Sequence, residues 1–179
     1  VRRHGKATLA GHRRRLALLG TVAFFGLMFW APASQFQNDF LREEHDFSAL
    51  QLTLFTLATT TPGGIGIIVG GRLSDTRGRR LVGAVGTIGG AILLAATYLA
   101  GGPMLWVLST LGSIIAAVTV PALAVYGPEL FPTALRAKAN GIISAAGVAG
   151  SAVGLRIGGQ MEDHFGSYGP GMALLALGP

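Results

Sequence analysis

The chain has 179 residues, of which 50% are hydrophobic and only 12% are charged, and its mean hydropathy is +0.54. Soluble domains carry about 25% charged residues, so this composition excludes an ordinary soluble domain and indicates an integral membrane protein. The sequence contains no cysteine, which excludes disulfide bonds and thiol chemistry within it.

Long apolar runs predict five transmembrane helices and the start of a sixth. Each complete run has about 20 residues, the length that a helix needs to cross roughly 30 Å of hydrocarbon. Within the second and fourth runs, Pro62 and Pro121 predict a bend or kink. The predicted spans are 16–33, 50–70, 81–100, 104–126, 139–157 and a truncated span at 172–179.

The first apolar run has a second interpretation. Three arginines precede it and Ala31-Pro32-Ala33 ends it, which is also the pattern of a secretory signal peptide with its cleavage site. The chain begins with Val1 rather than methionine, so we expect a fragment of a longer protein. We therefore favour a transmembrane helix over a cleaved leader.

The positive charges predict the topology. Connections between successive spans lie on alternate sides of the membrane, and 12 of the 14 lysines and arginines then fall on one side. By the positive-inside rule, segments 1–15, 71–80 and 132–138 are cytoplasmic. Arg42 lies on the other side and Arg156 lies within the fifth span. Because the cations are spread over three segments without interleaved aromatic residues, we expect no nucleic-acid partner.

Glycines four residues apart recur in three of the predicted spans. Such spacing allows the backbones of neighbouring helices to approach closely. These glycines are Gly66, Gly70, Gly86, Gly90, Gly150, Gly154 and Gly158.

The polar segment between the second and third spans carries a recognisable motif. It reads Gly71-x-x-x-Asp75-x-x-Gly78-Arg79-Arg80, which resembles the signature loop of the major facilitator superfamily of secondary transporters. It departs from the family pattern at Thr76, where Arg or Lys is usual.

A second motif lies two spans further on. The stretch Glu129-x-x-Pro132-Thr133-x-x-Arg136 resembles the segment that closes the fourth span of a half in sugar-porter-like and related organic-solute transporters. The two motifs together imply an all-α membrane protein, the C-terminal six-helix half of a major facilitator bundle, with five full transmembrane helices and a truncated sixth. Residues 1–15 would then end the central cytoplasmic loop, and 16–179 would form the transmembrane half.

The resemblance implies secondary active transport of a small organic solute by alternating access, with a proton as the expected coupling ion. The predicted spans contain no Asp or Glu, so a coupling carboxylate is expected in an N-terminal six-helix half. This missing half is the expected partner of the chain. The expected location is the plasma (inner) membrane. We expect no enzymatic activity, cofactor or metal. The alternatives are a multidrug efflux antiporter, a non-transporting scaffold or receptor on the same fold, and a small protein that dimerises into a transporter.

Two sets of site residues follow from the resemblance. The first is a cytoplasmic charge network that would hold helix ends together in one conformation; the alternative is that its members only fix the topology. This set comprises Gly71, Asp75, Arg77, Gly78, Arg79, Arg80, Glu129 and Arg136.

The second set contains polar and aromatic candidates for the solute path. Trp30 could instead be an interfacial anchor, and Arg156 could extend to water or pair with Glu162. This set comprises Trp30, Ser34, Gln35, Asn38, Ser109, Ser113, Tyr126 and Arg156.

Overall fold

The computed structural model describes residues 9–121 and 130–179, and these residues are almost wholly helical. A single 3₁₀ turn, Leu9–His12, leads into the first helix. The α-helices of the described ranges are α1 (Arg13–Gln35), α2 (Gln37–Glu43), α3 (Ala49–Thr60), α4 (Gly63–Arg77), α5 (Arg79–Thr97), α6 (Pro103–Ala117), α7 (Thr133–Phe165) and α8 (Tyr168–Leu175).

Five helical segments of the described chain are long and apolar enough to cross a membrane. They are α1, α3 continued by α4, α5, α6 as far as Pro121, and α7. The predicted fold class, an all-helical half of a membrane bundle, is confirmed. The helix α8 begins at Tyr168, earlier than the predicted start of the sixth span at residue 172.

The second span contains the interruption that Pro62 predicted. Helix α3 begins with a capping box, in which Ser48 and Gln51 bond to each other's backbone N–H, and it ends at Thr60. Pro62 has no N–H for the helical ladder, and α4 starts at Gly63 after a two-residue turn. The span as a whole still runs from Ala49 to Arg77.

The predicted loop 71–80 is much shorter than the sequence indicated. Helix α4 continues to Arg77 and α5 begins at Arg79, so Gly78 alone separates them. Its φ of 88° lies in the left-handed region that glycine adopts without a steric penalty. Polar side chains at a helix end can reach water while the backbone stays helical, which is why hydropathy alone placed the boundary too early.

Helix α7 is also longer than the predicted fifth span, 139–157. It begins directly after Pro132 and ends at Phe165, where Gly166 adopts the left-handed conformation typical of a helix C-terminus. The predicted cytoplasmic segment 132–138 therefore consists largely of the first turns of α7.

Close backbone contact joins α7 to α1. A Cβ atom added at Gly150 would lie 2.0 Å from the carbonyl oxygen of Phe24, and one added at Gly154 would lie 1.9 Å from that of Met28. Either distance is far inside van der Waals contact, so only glycine fits. The prediction of glycine-mediated helix contact is confirmed here.

Helix α6 packs between α4 and α5 by the same means. On one side, a Cβ at Gly66 would lie 2.1 Å from the carbonyl oxygen of Ile114. On the other side, a Cβ at Gly90 would lie 2.9 Å from the Cα atom of Ala116. The described helices thus form two tightly packed groups, α1 with α7 and α4 with α5 and α6.

The buried core lies towards the predicted extracytoplasmic end, where the two groups meet. Phe40 of α2 is 1% exposed, and its ring packs against Tyr98 at the end of α5, with a centroid distance of 4.7 Å. Phe29 of α1 and Met172 of α8 belong to the same cluster. Large apolar side chains elsewhere remain exposed, as a surface in contact with lipid or with other helices would require.

Candidate functional site

The cytoplasmic motif lies where α4 and α5 meet. Asp75 and Arg77 are exposed in the last turn of α4, and Arg79 is half-buried in the first turn of α5. Arg80 is exposed. Gly71 faces open space, since apart from its chain neighbours and the backbone of its own helix no atom lies within 4 Å of the position that its Cβ would occupy.

Part of the predicted charge network lies beyond the described residues. Arg136 is exposed, and its Nε donates a hydrogen bond of 3.2 Å to the carbonyl oxygen of Phe131, just before α7. Glu129 lies outside the described residues, so the network remains a prediction.

Ser74, which the sequence analysis did not consider, is buried beside this motif. Its side chain is 6% exposed, and its hydroxyl has no hydrogen-bond partner among the described residues. Thr119, in the continuation of α6, is also buried, and its hydroxyl also has no hydrogen-bond partner among the described residues. A serine among polar residues at a helix end carries no sequence signal of burial, because that burial depends on the neighbouring helices.

Three serines predicted to line the solute path are engaged within the fold. Ser109 is 2% exposed and accepts a long hydrogen bond of 3.5 Å from Nε2 of Gln37. Ser113 packs against Gly63, with its Oγ 3.0 Å from where a Cβ would lie. Ser34 donates to the carbonyl oxygen of Ala31 at 2.9 Å.

The remaining path candidates have different surroundings. Trp30 is half-buried, with its ring edge-to-face against Phe29 at a centroid distance of 5.5 Å. Gln35 at the end of α1 is exposed. Arg156 is exposed, nine residues before the end of α7. Tyr126 lies outside the described residues.

Asn38 lines an open groove between α2 and α3. The groove has a volume of about 590 Å³, and most of its polar lining comes from residues that the sequence analysis did not single out. The spacing of Thr53, Thr56 and Thr60 places them on one side of α3, a signal that was present in the sequence. Its lining residues are Asn38, Arg42, Ala49, Leu52, Thr53, Thr56, Leu57, Thr60 and Thr61.

A polar contact joins α2 to the start of α8. Glu44 accepts hydrogen bonds from the backbone N–H of Tyr168 at 2.8 Å and from the hydroxyl of Ser167 at 3.3 Å. Glu43 accepts a bond of 3.2 Å from the phenol of Tyr168. Burial raises the pKa of this phenol above its ordinary value, and the nearby Glu43 carboxylate raises it further.

These features define a helical multi-pass membrane protein whose helices meet at glycines and whose second and third spans are joined by a glycine in a basic, polar turn. Residues 12–178 match the family model described as the Major Facilitator Superfamily. The chain therefore belongs to this family of transporters, as the two motifs indicated.

Two known proteins are similar in sequence. The chain is 30% identical over 132 residues to the cis,cis-muconate transport protein of Acinetobacter baylyi (strain ATCC 33305 / BD413 / ADP1), a match that covers 73% of the chain and 30% of that protein. It is 33% identical over 115 residues to puromycin resistance protein pur8 of Streptomyces alboniger, which covers 63% of the chain and 22% of that protein. The chain thus spans less than a third of either relative. No solved structure matches it significantly.

Proposed function

We propose that this chain is the C-terminal half of a secondary active transporter that moves a small organic solute across the plasma (inner) membrane by alternating access. The observation that carries the proposal is the family match over residues 12–178. The partner of this half would be an N-terminal block of six helices, with the solute path between the two.

The packing of the described helices supports such a mechanism. Alternating access requires each half to move largely as a rigid body against the other. Backbone contacts at Gly150 and Gly154 hold α1 against α7, and those at Gly66 and Gly90 hold α6 between α4 and α5. Helices in backbone contact cannot slide past each other without steric clashes, so the large movement would take place between halves.

A proton is the coupling ion that we propose. A dicarboxylate such as cis,cis-muconate carries two negative charges, and entry against an inside-negative potential costs about 2.3 kcal/mol per charge per 100 mV. Co-transported protons would offset this cost. Since no Asp or Glu occurs within the predicted spans, the proposal places the proton-binding carboxylate in the N-terminal half.

The cytoplasmic motif would control the balance between the two conformations. Asp75 lies within a basic segment at the junction of α4 and α5, where an ion pair made in one state only would stabilise that state. Contacts of this kind shift a two-state equilibrium by their difference in free energy between the states.

Export is a second candidate function. It is favoured by the 33% identity to a puromycin resistance protein. An efflux antiporter would exchange protons for the solute and would need no change in the architecture of this half, so the direction of flux separates the two candidates.

Transport by the full-length protein in proteoliposomes tests the proposal. With an imposed pH gradient, cis,cis-muconate and puromycin should be assayed separately, and saturable flux of one should disappear when a protonophore collapses the gradient. Accumulation on the acidic side would indicate antiport, and accumulation on the alkaline side would indicate symport. Flux that persists unchanged without the gradient would refute proton coupling, and no saturable flux of any organic solute would refute the transporter proposal.

A further inference from the structure

We propose that the groove between α2 and α3 is a binding site for the carboxylate group of a small organic anion, with Arg42 as the charged ligand. The biological role of this site, as a vestibule on the solute path, rests on the proposed transport function. The binding itself does not, because it depends only on the groove.

The groove is open on one side and large enough to admit a small molecule. Its volume is about 590 Å³. Leu52 and Leu57 contribute apolar surface, whereas Asn38, Arg42 and the threonines contribute polar groups. A carbon skeleton with a polar end would match both parts of this lining.

Most of the polar residues of α2 lie in two adjacent rows. Asn38 and Arg42 are four residues apart and line the groove. Asp39 and Glu43 form the neighbouring row, and Glu43 is hydrogen bonded to Tyr168. Among the described residues no carboxylate forms an ion pair with Arg42, so its guanidinium is available to a ligand.

Arg42 suits a carboxylate ligand by its geometry. A guanidinium presents two parallel N–H donors that match the two oxygens of a carboxylate. The amide of Asn38, one turn away on the same row, can donate a further hydrogen bond.

The beginning of α3 adds partial positive charge to the groove. Ala49, the first residue of α3, lines the groove, and the N-terminus of a helix attracts anions. This contribution supplements Arg42, which carries the full charge.

The threonines of α3 continue the polar lining into the span. Thr53 donates its hydroxyl proton to the carbonyl oxygen of Ala49 at 3.0 Å, and Thr60 donates to that of Thr56. Their oxygens keep lone pairs that can accept hydrogen bonds from a hydroxyl or a protonated carboxyl group of the ligand. Thr53 and Thr60 therefore offer acceptors, and not free donors, along this side of α3.

Protection of a thiol at position 56 from alkylation tests binding without any assay of transport. Thr56→Cys would introduce a thiol into a chain that has none, in full-length protein whose other cysteines have been replaced. The Thr60 hydrogen bond goes to the backbone of residue 56, so it survives the substitution. The protein is held in detergent, where maleimide reaches both faces, and cis,cis-muconate is the probe.

Muconate should slow the labelling of the Thr56→Cys variant, and its dimethyl ester should not. Arg42→Gln in the same background should raise the half-protecting concentration about 10- to 100-fold, because it removes the charge and the paired donors. Arg42→Lys keeps the charge but not the paired donors, so its half-protecting concentration should lie between those of the parent and Arg42→Gln. Asp163→Cys, at the end of α7 and outside the groove, is the matched thiol whose labelling should not respond.

The outcomes separate this inference from the transport proposal. Charge-dependent protection supports the site whether or not the protein shows flux. Equal protection by the ester, or protection unaffected by Arg42→Gln, would overturn the assignment to a carboxylate. Muconate transport without protection of the thiol in the Thr56→Cys variant would place the anion elsewhere and also overturn it.

Discussion

Replacing Gly154 with alanine should separate α1 from α7. The new methyl group would lie 1.9 Å from the carbonyl oxygen of Met28, 2.7 Å from its carbonyl carbon and 2.9 Å from its Cα. All three atoms belong to the backbone of α1, so no side-chain rotation relieves the clash. The helices must move apart by about 1 Å to bring the nearest atom beyond 3 Å.

This movement should be costly, because it opens the contact along neighbouring turns as well. Overpacking a well-packed interior costs about 1–3 kcal/mol, and a rigid backbone contact places Gly154→Ala towards the upper end. Gly150→Ala meets the carbonyl oxygen of Phe24 at 2.0 Å and should cost a similar amount. Since both methyl groups push α1 in the same direction, the double variant should cost less than the sum of the single variants.

Gly159→Ala is the matched control on the same helix. Its Cβ would meet nothing closer than Cζ of Phe36 at 3.9 Å, an ordinary contact. Thermal unfolding of the purified full-length protein, followed by the fluorescence of the half-buried Trp30 and Trp106, measures each variant. We expect a clear fall in melting temperature for Gly154→Ala and little change for Gly159→Ala. Equal melting temperatures would show that the backbone contact between α1 and α7 is wrong.

Three further predictions concern topology, gating and alkaline stability. Single cysteines at Arg77 and Asp163 should react with an impermeant reagent from opposite faces of the membrane; reaction from one face would contradict the five-span topology. Asp75→Asn should reduce solute flux while expression stays near normal, and unchanged flux would leave Asp75 with a topological role only. Because the pKa of Tyr168 is raised in the fold, its neutral phenol stabilises the protein below pH ~10, and this contribution is lost as the pH rises further. Tyr168→Phe should therefore lower the alkaline sensitivity in pH-dependent thermal unfolding, and an unchanged profile would contradict this account.

The number of membrane-crossing segments and their helical class could be predicted because the membrane imposes one length and one polarity on every span. The helix contacts at Gly150 and Gly154 could be predicted for a related reason, since a spacing of four places small residues on one face. Helix ends were less predictable. Arg72 and Arg77 lie beyond the apolar run but are still helical, as part of α4. Hydropathy shows where the apolar run ends, and it does not show where the helix ends.

The groove was missed because it depends on α2, a seven-residue helix within a segment that the sequence analysis left unassigned. A helix this short gains little from its own hydrogen bonds. Burial of Phe40 and Leu41 in the core holds it in place, and that burial requires α5 and α8. Helix α2 therefore depends on the tertiary fold, and no local sequence pattern predicts it.

Hydrogen bonding now separates the polar candidates into two kinds. Ser34 and Ser109 have partners within the chain, so their side chains contribute first to packing and local structure. Arg42 and Asn38 instead face an open groove, where a charged or amide group must be satisfied by water or by a ligand. Ser109 is buried, so the packing around it must open before a solute can reach it, whereas a guanidinium in an open groove exchanges only water. The solute contacts of this half should therefore be sought first along α2 and α3.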